Sequence, residues 1–385
     1  WEANITAVID NFELADVPIL SDNGISGLAR VAGKVKGLGT KPEFDVQLGL
    51  ESIRTGPTVD YDQGNVHIRT DASGFSGSLA LIDVDEDGKL TSSCSVVVNT
   101  EQVKWQDGLV PTRDGSKPVD IEVTAKKFKM AMLTPLVQPI LSYVDGNLTG
   151  TARATWSPEE GDSKIHQLFF LLDEGAFQVP LIGQEFLSAT GMVQAAGSDR
   201  IFLERFRAQS LTGAIEGRAT LDLAGLKIEH VDASLRAREQ EKMRLTFEGM
   251  PIGEFYGDIH AKIDLNKEKN NAQIVFDHVH IDLPTTDLRS VQSLEDNPDI
   301  QIVPSRDAIG VRKPEASDSD PATPWVVTLE TRGPALLERS DINVSIITPK
   351  AERDRPVLVF PDPKTGETSL KGYLILYDGR VDVVG

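Results

Sequence analysis

Two short polar segments carry residue types and spacings that are suited to binding a metal ion. The first is the acidic run Asp83-Val84-Asp85-Glu86-Asp87-Gly88. Carboxylates at alternate positions followed by a glycine resemble the start of a calcium loop. The twelfth position, however, is Cys94 instead of a bidentate glutamate, and a strand pattern follows. We therefore interpret the segment as an acidic hairpin turn, with Asp83, Asp85 and Asp87 as the calcium candidates.

The second segment holds His278, His280 and Asp282 at alternate positions. On a regular strand these three side chains share a face, as in some zinc and iron sites. No fourth ligand is evident nearby, so the pattern favours a plain polar face opposite Val279 and Ile281. We predict no metal and no cofactor for this chain.

No sequence motif indicates catalysis. The chain lacks a nucleophile elbow, a phosphate-binding loop and a dinucleotide fingerprint. The formal net charge is −20, which argues against nucleic acid because phosphate binding needs patches of Lys and Arg. The sequence therefore predicts a protein that is neither an enzyme nor a nucleic-acid binder.

Composition indicates a folded chain whose apolar surface is mostly aliphatic. Hydrophobic residues make up 40% and aromatic residues only 6% of the 385 residues. The one cysteine, Cys94, excludes an intramolecular disulfide and is expected to be a small buried residue. No run approaches the roughly 18 apolar residues that span a bilayer. The chain starts at Trp1 and ends on a strand pattern, so we expect a piece of a longer protein whose anchor or export signal lies outside it.

Alternation of apolar and polar residues is the dominant pattern in the chain. From Ala214 to Leu223, apolar and small residues occupy one face of the predicted strand and polar residues the other. The same period of two recurs along most of the sequence, with turn signals at Gln63-Gly64, Asp87-Gly88 and Asp114-Gly115. The pattern predicts a mainly β protein in which something must cover the apolar faces.

Three stretches depart from this alternation. Leu133 to Val144 has helical spacing, with Thr134 as N-cap and Gly146 after its end, and 287–297 predicts a short polar helix. Residues 305–324 are polar and rich in Pro, Ser and Asp, which indicates a loop or linker. We therefore divide the chain into a β-rich segment at 1–126, a continuing β segment at 127–304, the linker, and C-terminal strands at 325–385.

Three pieces of the sequence resemble the AsmA-like and TamB family. The first is the patch from Leu133 to Val144 that leads into Gly146-Asn147-Leu148-Thr149-Gly150-Thr151-Ala152. The second runs from Leu283-Pro284 through Arg289-Ser290-Val291-Gln292-Ser293-Leu294 to Asn297-Pro298-Asp299-Ile300. The third is the final strand pair, Lys371-Gly372-Tyr373-Leu374-Ile375-Leu376-Tyr377 followed by Asp378-Gly379-Arg380-Val381-Asp382-Val383-Val384-Gly385. The polar insertion at 305–324 departs from the family pattern.

The resemblance implies a long sheet that curls into an open trough, the solenoid-like β-taco, with an apolar concave face. It implies a periplasmic protein, anchored in the inner membrane, that moves phospholipid between the inner and outer membranes. It also implies an outer-membrane barrel partner of the TamA type and a part in outer-membrane protein assembly. The residues expected to line the groove and contact acyl chains are Leu148, Ala152, Ala154, Trp156, Ile215, Ala219, Leu221, Leu223, Ile259, Ile263, Leu265, Ile281, Val327, Leu329, Val381 and Val383.

Two other interpretations of the alternation remain open. A structural or adhesive β-sandwich or β-solenoid with a closed core shows the same pattern. A carbohydrate-active β-solenoid enzyme needs clustered carboxylates beside exposed aromatics, and aromatics are scarce here. An open apolar interior separates the lipid conduit from both alternatives.

Overall fold

Strands make up most of the described chain in this computed structural model. The structure describes residues 3–21, 24–38, 43–55, 61–71, 74–101, 103–106, 110–113, 117–134, 143–157, 163–179, 184–195, 197, 199–247, 250–265, 269–284, 324–360 and 369–381. The strands of the first half are β1 (Ala3–Glu13), β2 (Ile25–Leu38), β3 (Glu43–Thr55), β4 (Tyr61–Asp71), β5 (Gly74–Val84), β6 (Leu90–Glu101), β7 (Val103–Gln106), β8 (Val110–Arg113), β9 (Val119–Lys129), β10 (Val144–Trp156), β11 (Lys164–Val179) and β12 (Gln184–Ala195). Those of the second half are β13 (Arg200–Gln209), β14 (Ala214–Ala224), β15 (Lys227–Ala237), β16 (Met243–Phe247), β17 (Met250–Asp264), β18 (Asn270–Asp282), β19 (Trp325–Thr331), β20 (Ala335–Arg339), β21 (Ile342–Ile347), β22 (Val357–Phe360), β23 (Ser369–Lys371) and β24 (Ile375–Val381).

Helical structure within the described residues is confined to single turns. They are the four-residue α-helix Pro18–Ser21 and 3-10 turns at Leu14–Asp16, Met130–Leu133, Glu239–Glu241 and Glu352–Asp354. None of these helices has the length and hydropathy that crossing a membrane requires. The predicted helix at 133–144 is wrong at both ends, because Leu133 closes a 3-10 turn and Val144 begins β10. The described residues do not include 135–142, the predicted helix at 287–297 or the linker up to residue 323.

Twenty-two strands form one open sheet, and β7 and β8 form a separate hairpin. The sheet is an antiparallel meander in which successive strands pair from β1 to β6, then β9, then β10 to β15 and β17 to β18. At its C-terminal side β18 pairs in parallel first with β19 and then with β20. In the described part of the chain β1 pairs only with β2, which leaves the sheet unclosed.

The prediction of a mainly β protein is confirmed, and the strands of 1–126 other than β7 and β8 belong to the same sheet as the later ones. Asp87-Gly88 forms the predicted hairpin turn between β5 and β6. Gln63-Gly64 is not a turn, because both residues lie inside β4. There a Cβ on Gly64 would lie 2.9 Å from Ile53 Cδ1, so the glycine makes room for packed side chains. Asp114-Gly115 lies outside the described residues.

Six strands carry a bulge at a non-glycine residue with positive φ. These residues are Asn11, Ser52, Lys127, Glu174, Arg205 and His278. Each bulge adds one residue, so the alternation changes phase after it. In β13, for example, Leu203 pairs with Ala219 before the bulge, and Phe206 pairs with Gly217 after it. A strand pattern that is read straight through such a bulge assigns the residues beyond it to the wrong face.

The bulges lie at the end of the sheet where its apolar residues are most buried. One buried cluster gathers around Ile53, Tyr61 and Cys94, next to the bulges of β3 and β9. A second gathers around Phe186, Ala208 and further residues beside the bulges of β11, β13 and β18. Cys94 is thus a buried residue, as predicted, and burial raises the pKa of its thiol.

Gly146 in β10 lies opposite the bulge of β11 and tolerates no side chain. Its φ is +113°, and a Cβ there would lie 2.6 Å from Gly175 Cα and 2.8 Å from the Glu174 carbonyl oxygen. We expect Gly146→Ala to lower the free energy of unfolding by roughly 2–4 kcal/mol, because strain and a backbone clash add. Urea denaturation monitored by circular dichroism measures this. Gly49→Ala is the control, because nothing lies within 4 Å of a Cβ there; equal losses in both variants contradict the assignment.

Candidate functional site

The strand register pairs apolar residues with apolar residues across sixteen strands. Directly paired residues lie on the same side of a sheet. One series joins β1 to β11 through Ile9, Val31, Leu48, Val66, Leu79, Val96, Val123, Ala152 and Leu168. A second continues from β11 to β19 through Phe170, Val193, Leu203, Ala219, Ala233, Ala261, Ile274 and Leu329. We call these two series and the apolar pairs parallel to them the apolar ladder.

Most of the residues predicted to contact lipid lie on this ladder. Leu221, Ile263 and Val327 belong to one rung of the ladder, meaning one row of directly paired residues across neighbouring strands. This rung runs from Ile201 in β13 to Leu358 in β22. The other predicted residues that pair with apolar or small neighbours are Leu148, Ala152, Ala154, Trp156, Ile215, Ala219, Leu223, Ile259, Ile281, Leu329 and Val381. Leu265 lies one residue beyond β17, where its N–H donates to the Glu229 carbonyl, and Val383 lies outside the described residues.

The middle of the ladder is only half-buried. Leu235 of β15 is 39% exposed and Ile68 of β4 is 36% exposed, although both pair with apolar neighbours. Within the described residues, the only other sheet is the β7–β8 hairpin, and the helices are single turns. In the part of the chain that the structure describes, neither a second large sheet nor a helix longer than one turn is therefore available to cover the ladder.

Charged residues on the opposite side of the sheet form ion pairs between neighbouring strands. Arg153 of β10 contacts Glu122 of β9 at 2.9 Å, and Arg236 of β15 contacts Asp258 of β17 at 2.5 Å. Glu216 of β14 contacts Arg207 and Arg238, and the hydrogen bond from Arg238 lowers the pKa of its carboxyl group. Such exposed pairs stabilise little individually. The charges of these pairs lie on the side of the sheet that faces away from the ladder.

Tyr61 links strand ends that are far apart in the sheet order. Its Oη accepts a hydrogen bond from the Lys129 backbone N–H at 3.0 Å and lies 3.0 Å from Ser92 Oγ. Tyr61 begins β4, whereas Lys129 ends β9, and both β5 and β6 lie between those strands. The side chain is fully buried, and this burial raises the pKa of its hydroxyl.

The acidic run 83–88 forms a hairpin turn in which the carboxylates of Asp83 and Asp85 are engaged within the protein. Asp85 Oδ1 accepts hydrogen bonds from the backbone N–H groups of Asp87 and Lys89. Asp83 Oδ2 lies 2.9 Å from Lys129 Nζ and accepts a hydrogen bond from Thr91. These contacts favour the turn interpretation over a calcium site at Asp83, Asp85 and Asp87.

His278, His280 and Asp282 do not share a face, contrary to the sequence-based expectation. His278 is the bulge residue of β18, with φ +51°, and its side chain is exposed beside Asp277. His280 instead lies beside Asp282 and Glu338 of β20. Glu338 follows Asp282 by 56 positions and comes alongside it through the parallel pairing of β20 with β18, which no local pattern indicates.

Comparison with known proteins adds no relative to these observations. No family model matches the chain, and neither a curated protein nor a solved structure does. The resemblance to AsmA-like and TamB proteins therefore stays a prediction.

The ion pair between Asp83 and Lys129 predicts a specific dependence of stability on pH. Burial disfavours the Asp83 carboxylate, but hydrogen bonds from Lys129 and Thr91 outweigh it and lower the pKa of Asp83. A carboxyl group whose pKa is lower in the folded state contributes stability above its unfolded pKa and loses it as pH falls through the folded pKa. Between about pH 5 and pH 3, we expect the wild type to lose on the order of 1 kcal/mol more stability than Asp83→Asn.

Urea midpoints at the two pH values measure this difference. Asp87→Asn is the control, because it removes an exposed carboxylate from the same turn. The assignment of the ion pair is wrong if Asp83→Asn loses as much stability on acidification as the wild type and the control.

Proposed function

We propose that the chain is a non-enzymatic lipid-transfer conduit that binds acyl chains along its apolar ladder. The supporting observation is the pairing of apolar residues with apolar residues over sixteen strands, in two series that meet in β11. Acyl chains offer no hydrogen-bond partners, so their path must be free of unpaired charge. The ion pairs of Arg153, Arg236 and Glu216 lie on the opposite side of the sheet, and Asp83, which follows Leu79 and Leu81 on the ladder side of β5, is paired with Lys129.

The binding energy of an acyl chain favours movement along the ladder over tight binding at one position. Each buried CH₂ group gains roughly 0.8 kcal/mol, so an acyl chain of about 16 carbons gains on the order of 10 kcal/mol when fully covered. Small residues such as Ala152, Ala219 and Ala233 recur along the ladder and leave room for a chain. Because successive rungs have similar chemistry, the binding energy changes little along the path, and transfer needs no reaction.

A curl of the sheet into a trough is part of this proposal. Bulges bend the strands in which they occur, and six of them lie at the end where the buried clusters gather. In a flat sheet, β4 and β9 are three strand spacings apart, or about 14 Å. The contact between Tyr61 and Lys129 spans that separation with one tyrosine side chain, which supports inward folding of this end.

The cellular setting in the proposal follows from the resemblance to the AsmA-like and TamB family. It comprises a periplasmic location, an inner-membrane anchor outside this chain, and an outer-membrane barrel partner of the TamA type. Assistance to outer-membrane protein assembly belongs to the same proposal. The strands nearest the C-terminus carry large exposed apolar residues, including Leu376 and Tyr377, which suit contact with another protein or a membrane.

A closed structural or adhesive β protein is the competing function. In a closed sandwich, the side chains of the inner face are buried by a second sheet. The exposure of Leu235 and Ile68 on the ladder favours the open conduit over this alternative.

A photo-crosslinking scan of β14 tests whether the ladder contacts lipid. We expect a benzophenone amino acid to capture phospholipid at positions 219, 221 and 223 and to fail at 218, 220 and 222. This alternation follows from the period of two in the strand, and the two sets of positions come from one strand, so each set is the control for the other. The crosslinking is done in cells, and mass spectrometry of the purified adducts measures the capture at each position. Absence of capture, or capture without alternation, contradicts the proposal.

A charge on the ladder is expected to block transfer. We predict that Leu221→Asp and Leu48→Asp each reduce lipid transfer between donor and acceptor vesicles at least tenfold, because an unpaired carboxylate in an apolar path is costly. Gln47→Asp is the matched control, since Gln47 is exposed and adjacent to Leu48 on the opposite side of β3. Circular dichroism confirms that the variants fold. Transfer at the wild-type rate in both ladder variants contradicts the conduit.

A further inference from the structure

His280, Asp282 and Glu338 converge where β18 changes its pairing partner. Their ligand atoms all lie within 4.8 Å of one another. His280 Nε2 lies 2.9 Å from Asp282 Oδ1 and 3.0 Å from Glu338 Oε2. The nitrogen atom is buried, yet neither oxygen meets it in hydrogen-bonding geometry. A buried polar atom without a directed partner needs an explanation, and the ability to bind a metal ion is one.

The other ring nitrogen of His280, Nδ1, contacts the hydroxyl group of Tyr256. Tyr256 Oη lies 2.9 Å from His280 Nδ1, and the two rings stack at 4.8 Å between centroids. Metal-binding histidines commonly use their second nitrogen in such a contact, which sets the tautomer and the ring orientation. With its proton on Nδ1, His280 has a free lone pair on Nε2, close to the two carboxylate oxygens but not aimed at either of them.

The like charges of Asp282 and Glu338 also call for a cation. These residues face each other directly in the parallel pairing of β18 with β20, and like charges in that position repel. Lys242 Nζ contacts Asp282 Oδ2 and lies over the Tyr256 ring. It therefore neutralises one carboxylate and leaves Asp282 Oδ1 and Glu338 Oε2 close to His280 Nε2.

The distances fit ligands of one metal ion. Ligands about 2.1 Å from an ion lie about 3.0 Å apart at adjacent octahedral positions and about 3.4 Å apart at tetrahedral ones. A cavity of about 580 Å³ lined by Asp282, Glu338 and Arg380 opens beside the cluster, which leaves room for an ion and its water ligands to enter.

We propose that His280, Asp282 and Glu338 bind a divalent transition-metal ion that fastens β20 to β18. Imidazole with two carboxylates suits Zn²⁺ or Mn²⁺. The pairing of β18 with β20 comprises only three residue pairs, from His280–Leu336 to Asp282–Glu338, so an ion across it adds a strong link to a short contact. The role of the ion is structural: it stabilises the attachment of the C-terminal strands to the rest of the sheet. This role is independent of lipid transfer.

Thermal unfolding of the full chain, stripped with EDTA and titrated with ZnCl₂ or MnCl₂, tests the site. We expect one of these salts to raise Tm by ~3 °C or more at saturation. His280→Ala and Glu338→Gln are expected to weaken binding at least tenfold in isothermal titration calorimetry. Tyr256→Phe is expected to weaken it about tenfold, since it removes the contact that orients the imidazole.

His278→Ala is the matched control, because His278 lies two residues away on the same strand and is exposed. It is expected to keep the full metal response. Glu338→Gln keeps the shape of a half-exposed side chain, so it tests the site even if His280→Ala fails to fold. Hydrogen exchange in β20 is expected to slow on metal addition in the wild type and to stay unchanged in Glu338→Gln. The proposal is overturned if neither salt shifts Tm, or if His278→Ala abolishes the response while Glu338→Gln retains it.

Discussion

The rest of the structure depends on one constraint. Apolar residues pair with apolar residues from strand to strand along the apolar ladder. Because the side-chain period of a strand is two, a slip of one residue would move a whole apolar set to the charged side. The ladder stays in register from Ile9 to Leu329 through a meander of short hairpins. The ion pairs on the other side, such as Arg153–Glu122, follow from the same register, since charges excluded from one side meet each other on the other.

The bulges change the phase of that pattern without breaking the ladder. They occur at the same end of the sheet in six strands, so these six strands bend at about the same level. Their local sequences share a form in which an apolar or small residue and two polar residues precede the next ladder residue. Leu50-Glu51-Ser52-Ile53, Leu203-Glu204-Arg205-Phe206 and Phe276-Asp277-His278-Val279 are examples. This repeated form is a sequence signal for the bulges that alternation alone misses.

What could be predicted from the sequence is what depends on neighbouring residues. The strand pattern from Ala214 to Leu223 and the Asp87-Gly88 turn follow from local periodicity and turn chemistry, and the structure contains both. The turn predicted at Gln63-Gly64 is wrong, because the sequence does not distinguish a glycine that makes room for Ile53 from one that turns the chain. Glu338 could not be assigned to His280, because the pairing of β20 with β18 depends on contacts between distant parts of the chain.

The bulge at His278 connects the register of the sheet to the chemistry of its C-terminal side. Before it, Asn270 to Phe276 pair with β19, and after it, His280 to Asp282 pair with β20. The extra residue therefore lies between the two partners of β18. The bulge also exposes the His278 side chain and changes the phase of β18, so that His280 and Asp282 lie on the side opposite to the ladder residue Phe276, where Glu338 approaches them. Without the extra residue, simple alternation would place His280 and Asp282 on the same side as Phe276.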